Sequence, residues 1–168
     1  ALEMGDDSRL RIGDAERDVL TGGDGHDGLF GGGGDDILRG FAGDDFLHGN
    51  QGADTLYGDA GANMLYGGQG DDVIHASAYG ETQGSWAHGN MGDDELVGGE
   101  GSDTLYGGQG NDFIGGKDGD DFLSGDRGDD EIHAGGGDDL VLGGDGRDTI
   151  YSNGGSEFLF GGDGDDTL

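Results

Sequence analysis

The chain has 168 residues, enough for one globular domain, but 45 are Gly and none is Pro or Cys. That composition leaves two classes, low-complexity disorder or a repeat built on tight turns. A net charge of −31, from 38 Asp and Glu against 7 Lys and Arg, argues against nucleic acid and anionic membrane surfaces as partners, because both would be repelled, and leaves cations as the natural ones.

In chain order, residues 1–12 fit no repeat and read as a degenerate cap or linker, with Leu10 and Ile12 placed to cap the repeats. Residues 13–75 keep to a nine-residue unit, G-G-x-G-x-D-x-U-x, in which U is a large aliphatic residue. Residues 22–30 (GGDGHDGLF), 31–39 (GGGGDDILR) and 67–75 (GGQGDDVIH) are clean copies, and looser ones begin at Gly13, Gly40, Gly49 and Gly58. Residues 76–88, ASAYGETQGSWAH, equal one unit plus four residues, an enlarged turn or insertion that keeps the repeat in phase. Residues 89–168 resume the repeat, with clean copies from Gly98, Gly107 and Gly143 and looser ones from Gly89, Gly116, Gly125, Ala134 and Ser152. The copy opening at Gly161 ends one residue short, so the array is expected to be truncated at its C-terminal end, and signals at either true end to be missing.

The eighth position is occupied by Leu20, Leu29, Leu38, Leu47, Leu56, Leu65, Ile74, Leu96, Leu105, Ile114, Leu123, Ile132, Val141, Ile150, Leu159 and Leu168, with no polar residue among them. A disordered glycine-rich tract would not keep such a column. Over residues 13–168, apart from the interruption, this motif resembles the nonapeptide of the RTX (repeats-in-toxin) family, the hemolysin-type calcium-binding repeat. The resemblance implies an all-β, right-handed parallel β-roll, a β-solenoid with two sheets of short parallel strands and two columns of calcium-binding turns. It also implies a secreted or cell-surface protein of a Gram-negative bacterium, exported by type I secretion.

The residues themselves lead to the same coil. Gly at the first, second and fourth positions permits backbone angles closed to other residues, and the last three residues make a short strand whose eighth side chain points inward. Two units then form one coil, and coils stacked about 4.8 Å apart place each turn over the turn two units earlier. The sixth-position side chains fall into two columns. One is Asp18, Asp36, Asp54, Asp72, Asp94, Asp112, Asp130, Asp148 and Asp166; the other is Asp27, Asp45, Asn63, Asp103, Asp121, Asp139 and Glu157.

Calcium takes six to eight hard oxygen ligands, which such turns offer from side chains and carbonyls. The resemblance implies that each ion sits between stacked turns, with carboxylates from both and carbonyls from the glycine turns. Gly23, Gly25, Gly32, Gly34, Gly68, Gly70, Gly99, Gly101, Gly108, Gly110, Gly144 and Gly146 are candidates for the latter. Counting adjacent acid pairs gives on the order of 12 calcium ions. Asn63 supplies only a neutral oxygen, so the second column is expected to be weakest in metal there, and Glu157 is a longer carboxylate with altered geometry. A core this thin cannot hold the metal-free fold, so folding and calcium binding are expected to be one event.

The insertion holds the only Trp, Trp86, with Tyr79 and Glu81. It is either a tolerated loop lacking a metal site or a partner-contact loop. On the second sheet the outward positions carry Phe30, Phe46, Met64, Tyr66, Tyr106, Phe122, Leu140, Leu142, Phe158 and Phe160 and no charged residue. That face is a candidate for self-association or for packing of another domain, against the alternative that aromatics are simply good strand formers.

Catalytic readings fail on spacing. The Asp pairs at 35–36, 71–72 and 129–130 recur with the period, whereas a catalytic pair should occur once. His26, His48, His75, His88 and His133 form no H-E-x-x-H, and Ser77 and Ser85 lack the G-x-S-x-G elbow. No apolar run approaches the ~18 residues of a membrane-spanning helix. Two functions stand: a non-enzymatic, calcium-rigidified structural module of a secreted or surface protein (adhesin, surface layer or filament), or the calcium-folded accessory domain of a secreted enzyme or pore-forming toxin.

Overall fold

The structure, a computed structural model, describes the backbone of residues 2–4 and residues 7–168 in full. Its strands in chain order are β1 (Leu2–Met4), β2 (Ser8–Ile12), β3 (Val19–Gly23), β4 (Gly28–Gly33), β5 (Ile37–Ala42), β6 (Phe46–Gln51), β7 (Thr55–Ala60), β8 (Met64–Gln69), β9 (Val73–His75), β10 (Trp86–Met91), β11 (Glu95–Val97), β12 (Thr104–Gln109), β13 (Phe113–Asp118), β14 (Phe122–Arg127), β15 (Glu131–Gly136), β16 (Leu140–Asp145), β17 (Thr149–Tyr151) and β18 (Phe158–Asp163). Even-numbered strands form one sheet, with β1 added at its edge, and odd-numbered strands from β3 to β17 form the other. Among the described residues only the β1–β2 pair is antiparallel.

Successive strands of a sheet lie one coil apart. Leu47 pairs with Leu65 and Leu38 with Leu56, each eighteen residues on, as two nine-residue units per coil require. The chain is thus an all-β parallel β-solenoid of two parallel sheets, as the period predicts. Strands extend past the expected three residues into the next unit's first three, with a break in pairing at the first-position glycine.

Between the sheets lies a single file of aliphatic side chains. From Leu29 to Val141 every large eighth-position residue is fully enclosed, while Leu20 and Leu159 are partly covered and Leu168 is exposed. A file one residue wide buries little apolar surface per coil, so the two flanking columns of polar turns carry a large share of the cohesion.

Two segments outside the regular count join the even-numbered sheet. Ser8–Ile12 runs parallel to β4, with Arg11 beside Leu29 and Ile12 beside Phe30, so this part of the N-terminal segment continues the ladder. Within residues 76–88 the extra residues are taken up before Trp86, where β10 begins. Leu65 pairs with Ala87 across twenty-two residues, and Ala87 pairs with Leu105 across the usual eighteen. Ala87 is a further, fully buried member of the core column, hidden from a forward count by the four added residues.

Trp86 therefore stands in a sheet and not on a loop. It belongs to a row of rings on the outer face of the even-numbered sheet: Phe30 to Phe46 (5.4 Å), Phe46 to Tyr66 (5.7 Å), Tyr66 to Trp86 (4.8 Å), Trp86 to Tyr106 (5.8 Å) and Tyr106 to Phe122 (5.4 Å). The row zigzags, because successive coils contribute alternately from the ninth and seventh positions. Tyr79, in the enlarged turn, is 97 % exposed.

Candidate metal centre

Each turn runs from the first to the sixth position of a unit. The second position adopts the left-handed conformation at Gly32, Gly68, Gly108, Gly135, Gly144 and Gly162, and equally at Phe41, Asn50, Asp59, Asn90, Lys117 and Asp126. For a side chain with a Cβ this costs roughly 1–2 kcal/mol, so stacking on the neighbouring turn imposes it. Fourth-position glycines such as Gly34, Gly70, Gly110 and Gly146 are also left-handed. A Cβ on Gly70 would strike the Gly52 carbonyl of the preceding coil.

First-position glycines are different. None has a positive φ among the described residues, contrary to the expectation that they supply unusual backbone angles. They supply space: a Cβ on Gly107 would overlap the Asp112 carboxylate and the Gly125 carbonyl oxygen of the next coil.

The sixth-position side chains form the two ladders. In the first, the backbone N–H of each residue from Asp18 to Asp148 donates to Oδ1 of the next member, ending on Asp166, over 2.7–3.0 Å. The second runs from Asp27 through Asp45, Asn63, Ser85, Asp103 and Asp121 to Asp139 in the same way. Ser85 is a ladder member missed from the sequence; counting back from Gly89 would have placed it at the sixth position. Arg9 N–H caps the ladder by donating to Asp27 Oδ1 (2.5 Å), and its guanidinium donates to the Gly22 carbonyl.

Oδ1 thus accepts a backbone N–H in the ladder aspartates from Asp36 to Asp166 and from Asp27 to Asp139, whereas most Oδ2 atoms have no partner. Asp36, Asp45, Asp54, Asp72, Asp94, Asp112, Asp121, Asp130, Asp139 and Asp148 each bury an Oδ2 with no hydrogen-bond partner, and Glu157 buries such an Oε1. Orphaned polar atoms of this kind are rare in folded proteins, and a row of ten requires an explanation. Desolvation raises the pKa of Asp72 and Asp121 to about 8, of Asp45 and Asp112 to about 7, and of Asp54, Asp94 and Asp130 to about 6, with the adjacent carboxylates adding to the shift. Asp36, Asp103, Asp139 and Asp148 move the same way, chiefly through burial.

Three turns differ. The second-position N–H of Asp14, Gly23 and Gly99 donates to Oδ2 of Asp18, Asp27 and Asp103 over 2.5–2.8 Å, and none of the three residues is left-handed. The candidate carbonyl donors Gly23, Gly25, Gly99 and Gly101 therefore lie in turns of another conformation than Gly32, Gly34, Gly68, Gly70, Gly108, Gly110, Gly144 and Gly146. The physical reason is stacking. The turns at Asp18 and Asp27 open the array, and the turn at Asp103 rests on the enlarged turn, so each lacks a regular turn beneath it.

Among the described residues no three His, Asp or Glu side chains converge on one point. Two stacked carboxylates with glycine carbonyls between them are what the ladders offer, a donor set of hard oxygens suited to a divalent cation of calcium's type. The donors present fit such an ion: an unpartnered anionic oxygen, a cradle kept free of Cβ, and a carbonyl oxygen beside it.

Comparison with protein families gives a match over most of the chain. The pattern of the RTX calcium-binding nonapeptide repeat (4 copies) fits residues 12–38, 39–74, 88–123, 115–150 and 135–168, which leaves out the N-terminal segment and most of the enlarged turn. No curated protein matches the chain.

Proposed function

We propose a function from one premise: the chain belongs to the RTX calcium-binding nonapeptide repeat family. It is accordingly a non-catalytic calcium-binding β-roll module. In our reading Asp36, Asp45, Asp54, Asp72, Asp94, Asp112, Asp121, Asp130, Asp139 and Asp148 would hold calcium, their Oδ2 atoms and the glycine carbonyls of the turns being the hard oxygens available to it. Asp18, Asp27, Asp103, Glu157 and Asp166 serve at ends and interruptions of the columns. The observation that carries this is the row of ten buried, unpartnered Oδ2 atoms.

Bound calcium supplies the positive charge that the ladders lack. Backbone N–H groups fix each carboxylate through Oδ1, first-position glycines keep the cradle open, and the aliphatic file keeps water out from behind. Folding and metal binding are then one event. With the affinity of extracellular calcium modules, ~0.1–1 mM, the module stays unfolded in a cell and becomes rigid outside it, as a structural part of a secreted or surface protein of a Gram-negative bacterium.

Self-association through the even-numbered sheet is part of this proposal. Phe158 and Phe160 at one end, 68 % and 54 % exposed, and Ile12 at the other, 69 % exposed, extend a face whose middle is covered by its own stacked rings. The test is far-ultraviolet circular dichroism with sedimentation velocity, titrating calcium from zero to ~10 mM to span extracellular affinities. A cooperative coil-to-β transition with concentration-dependent assembly is expected. The same transition to a compact monomer would shift the role to an accessory domain of a larger secreted protein, and no transition would sink the calcium reading.

A further inference from the structure

We infer that the second ladder is divided by a metal-free, hydrogen-bonded plug built from Asn63, Ser77 and Ser85 and closed by Asp103, so that calcium occupies this column as two separate runs. The inference rests on the calcium reading of the ladders and concerns where along them the ions stop.

In a regular turn the sixth-position Oδ2 has no partner and the first-position carbonyl oxygen of the next coil lies beside the same cradle, as with Asp36 and the Gly49 carbonyl. At Asn63 both are consumed. Its Nδ2 stands in place of Oδ2 and donates to the Gly61 carbonyl (3.2 Å) and to the carbonyl of Ala76 (3.4 Å), the first residue of the next coil's turn. An amide nitrogen pointing into the cradle repels a cation and satisfies the carbonyls that would have bound one.

One coil further, the ladder side chain is a hydroxyl. Ser85 Oγ accepts the Asn63 N–H (3.1 Å), lies 3.0 Å from Ser77 Oγ and 3.4 Å from the Gly61 carbonyl oxygen. Ser77 and Ser85 are 6 % and 5 % exposed. This polar group is buried, satisfied and neutral, whereas a divalent ion at the same place would be desolvated with no carboxylate from either turn.

Behind the serines, Asp103 is closed too. Its Oδ1 takes the Ser85 N–H (2.6 Å) and its Oδ2 takes the Gly99 N–H (2.5 Å), because its turn rests on residues 82–83 of the enlarged turn, over which a Cβ on Gly101 would lie. The enlarged turn thus has a local consequence. It removes the regular surface on which the next turn would otherwise open, and the first ladder, which passes the same coil through Asp72 and Asp94, keeps an unpartnered Oδ2 on both residues.

The experiment is anomalous X-ray diffraction from crystals of the whole chain grown in calcium, with bound calcium per chain measured in parallel by equilibrium dialysis, for the natural sequence and for N63D/S85D. The natural chain should show ions on the second ladder at Asp45 and between the turns of Asp121 and Asp139, ions along the first ladder from Asp36 onward, and none between the turns of Asn63 and Ser85. The double variant should gain an ion between the turns of residues 63 and 85, where both ladder side chains become carboxylates. An ordered calcium between Asn63 and Ser85 in the natural chain overturns the plug, as does a folded double variant with unchanged stoichiometry. If the double variant does not fold, the natural chain's map decides alone. Absence of calcium from both ladders would instead overturn the calcium reading, a distinguishable failure.

Discussion

Dialysed free of calcium at pH 8, the chain is expected to lose most of its β-sheet circular dichroism, and to regain part of it as the pH is lowered toward about 4–5 with no metal added. The direction comes from the ladders. Burial and mutual repulsion raise Asp45, Asp72, Asp112 and Asp121 to about 7 or 8 in the folded state, against an ordinary carboxylate value of about 3.9 in the unfolded chain. Between about pH 4 and pH 8 the folded state therefore holds more protons than the unfolded one, so its stability falls as pH rises through that window and is greatest below it.

Protons then do weakly what calcium does well, which is to discharge the stacked carboxylates. With calcium present the dependence reverses: protons compete for Oδ2, and the calcium needed for half-folding rises as pH falls from 8 to 5. Circular dichroism across this grid of pH and calcium checks both signs. A metal-free chain whose β-sheet signal grew from pH 5 to pH 8 would contradict the argument.

The second large effect separates two glycines eight residues apart. Gly107→Ala is expected to destabilise the roll by about 1–3 kcal/mol through overpacking alone, and to abolish the ion proposed between the turns of Asp112 and Asp130, since its Cβ would overlap the Asp112 carboxylate and the Gly125 carbonyl. Gly115→Ala makes the identical chemical change on a strand where the new Cβ meets only Phe113 Cε1 at 3.7 Å, an ordinary contact. It should be neutral or stabilise by about 0.4–1 kcal/mol, because alanine restricts the unfolded chain. Calcium midpoints and bound calcium per chain for the two variants measure the difference; equal behaviour would mean that the first-position cradle is not a ligand site.

The fold was legible because its determinants repeat. A period of nine with an aliphatic eighth position specifies the strand, the inward face and the eighteen-residue coil together, and Leu29 through Val141 stand where that count puts them. What was hidden depends on neighbours rather than on period. Ser85 and Ala87 sit in register only because four residues loop out before them, so a forward count from Gly67 loses both. Arg9 continues the second ladder with a backbone N–H, a role any residue but proline could fill and no motif marks. Whether a turn is open or closed on its carboxylate is set by the turn eighteen or twenty-two residues earlier. The sequence of the turn itself, GGEGSD at 98–103 against GGQGND at 107–112, does not distinguish the two states.

The uniform coil has a mechanical consequence. Strands run across the roll and their ladder bonds run along it, so tension applied between the two ends loads the coil interfaces in series and peels them singly. Each regular coil of eighteen residues would release about 60 Å of extended chain in exchange for the ~4.8 Å it occupied in the stack, a gain of roughly 55 Å per step. The coil that joins Leu65 to Ala87 holds twenty-two residues and would release roughly 70 Å. The roll is in this sense a graduated tether with one longer interval, and that interval marks the position of the enlarged turn along a force-extension trace.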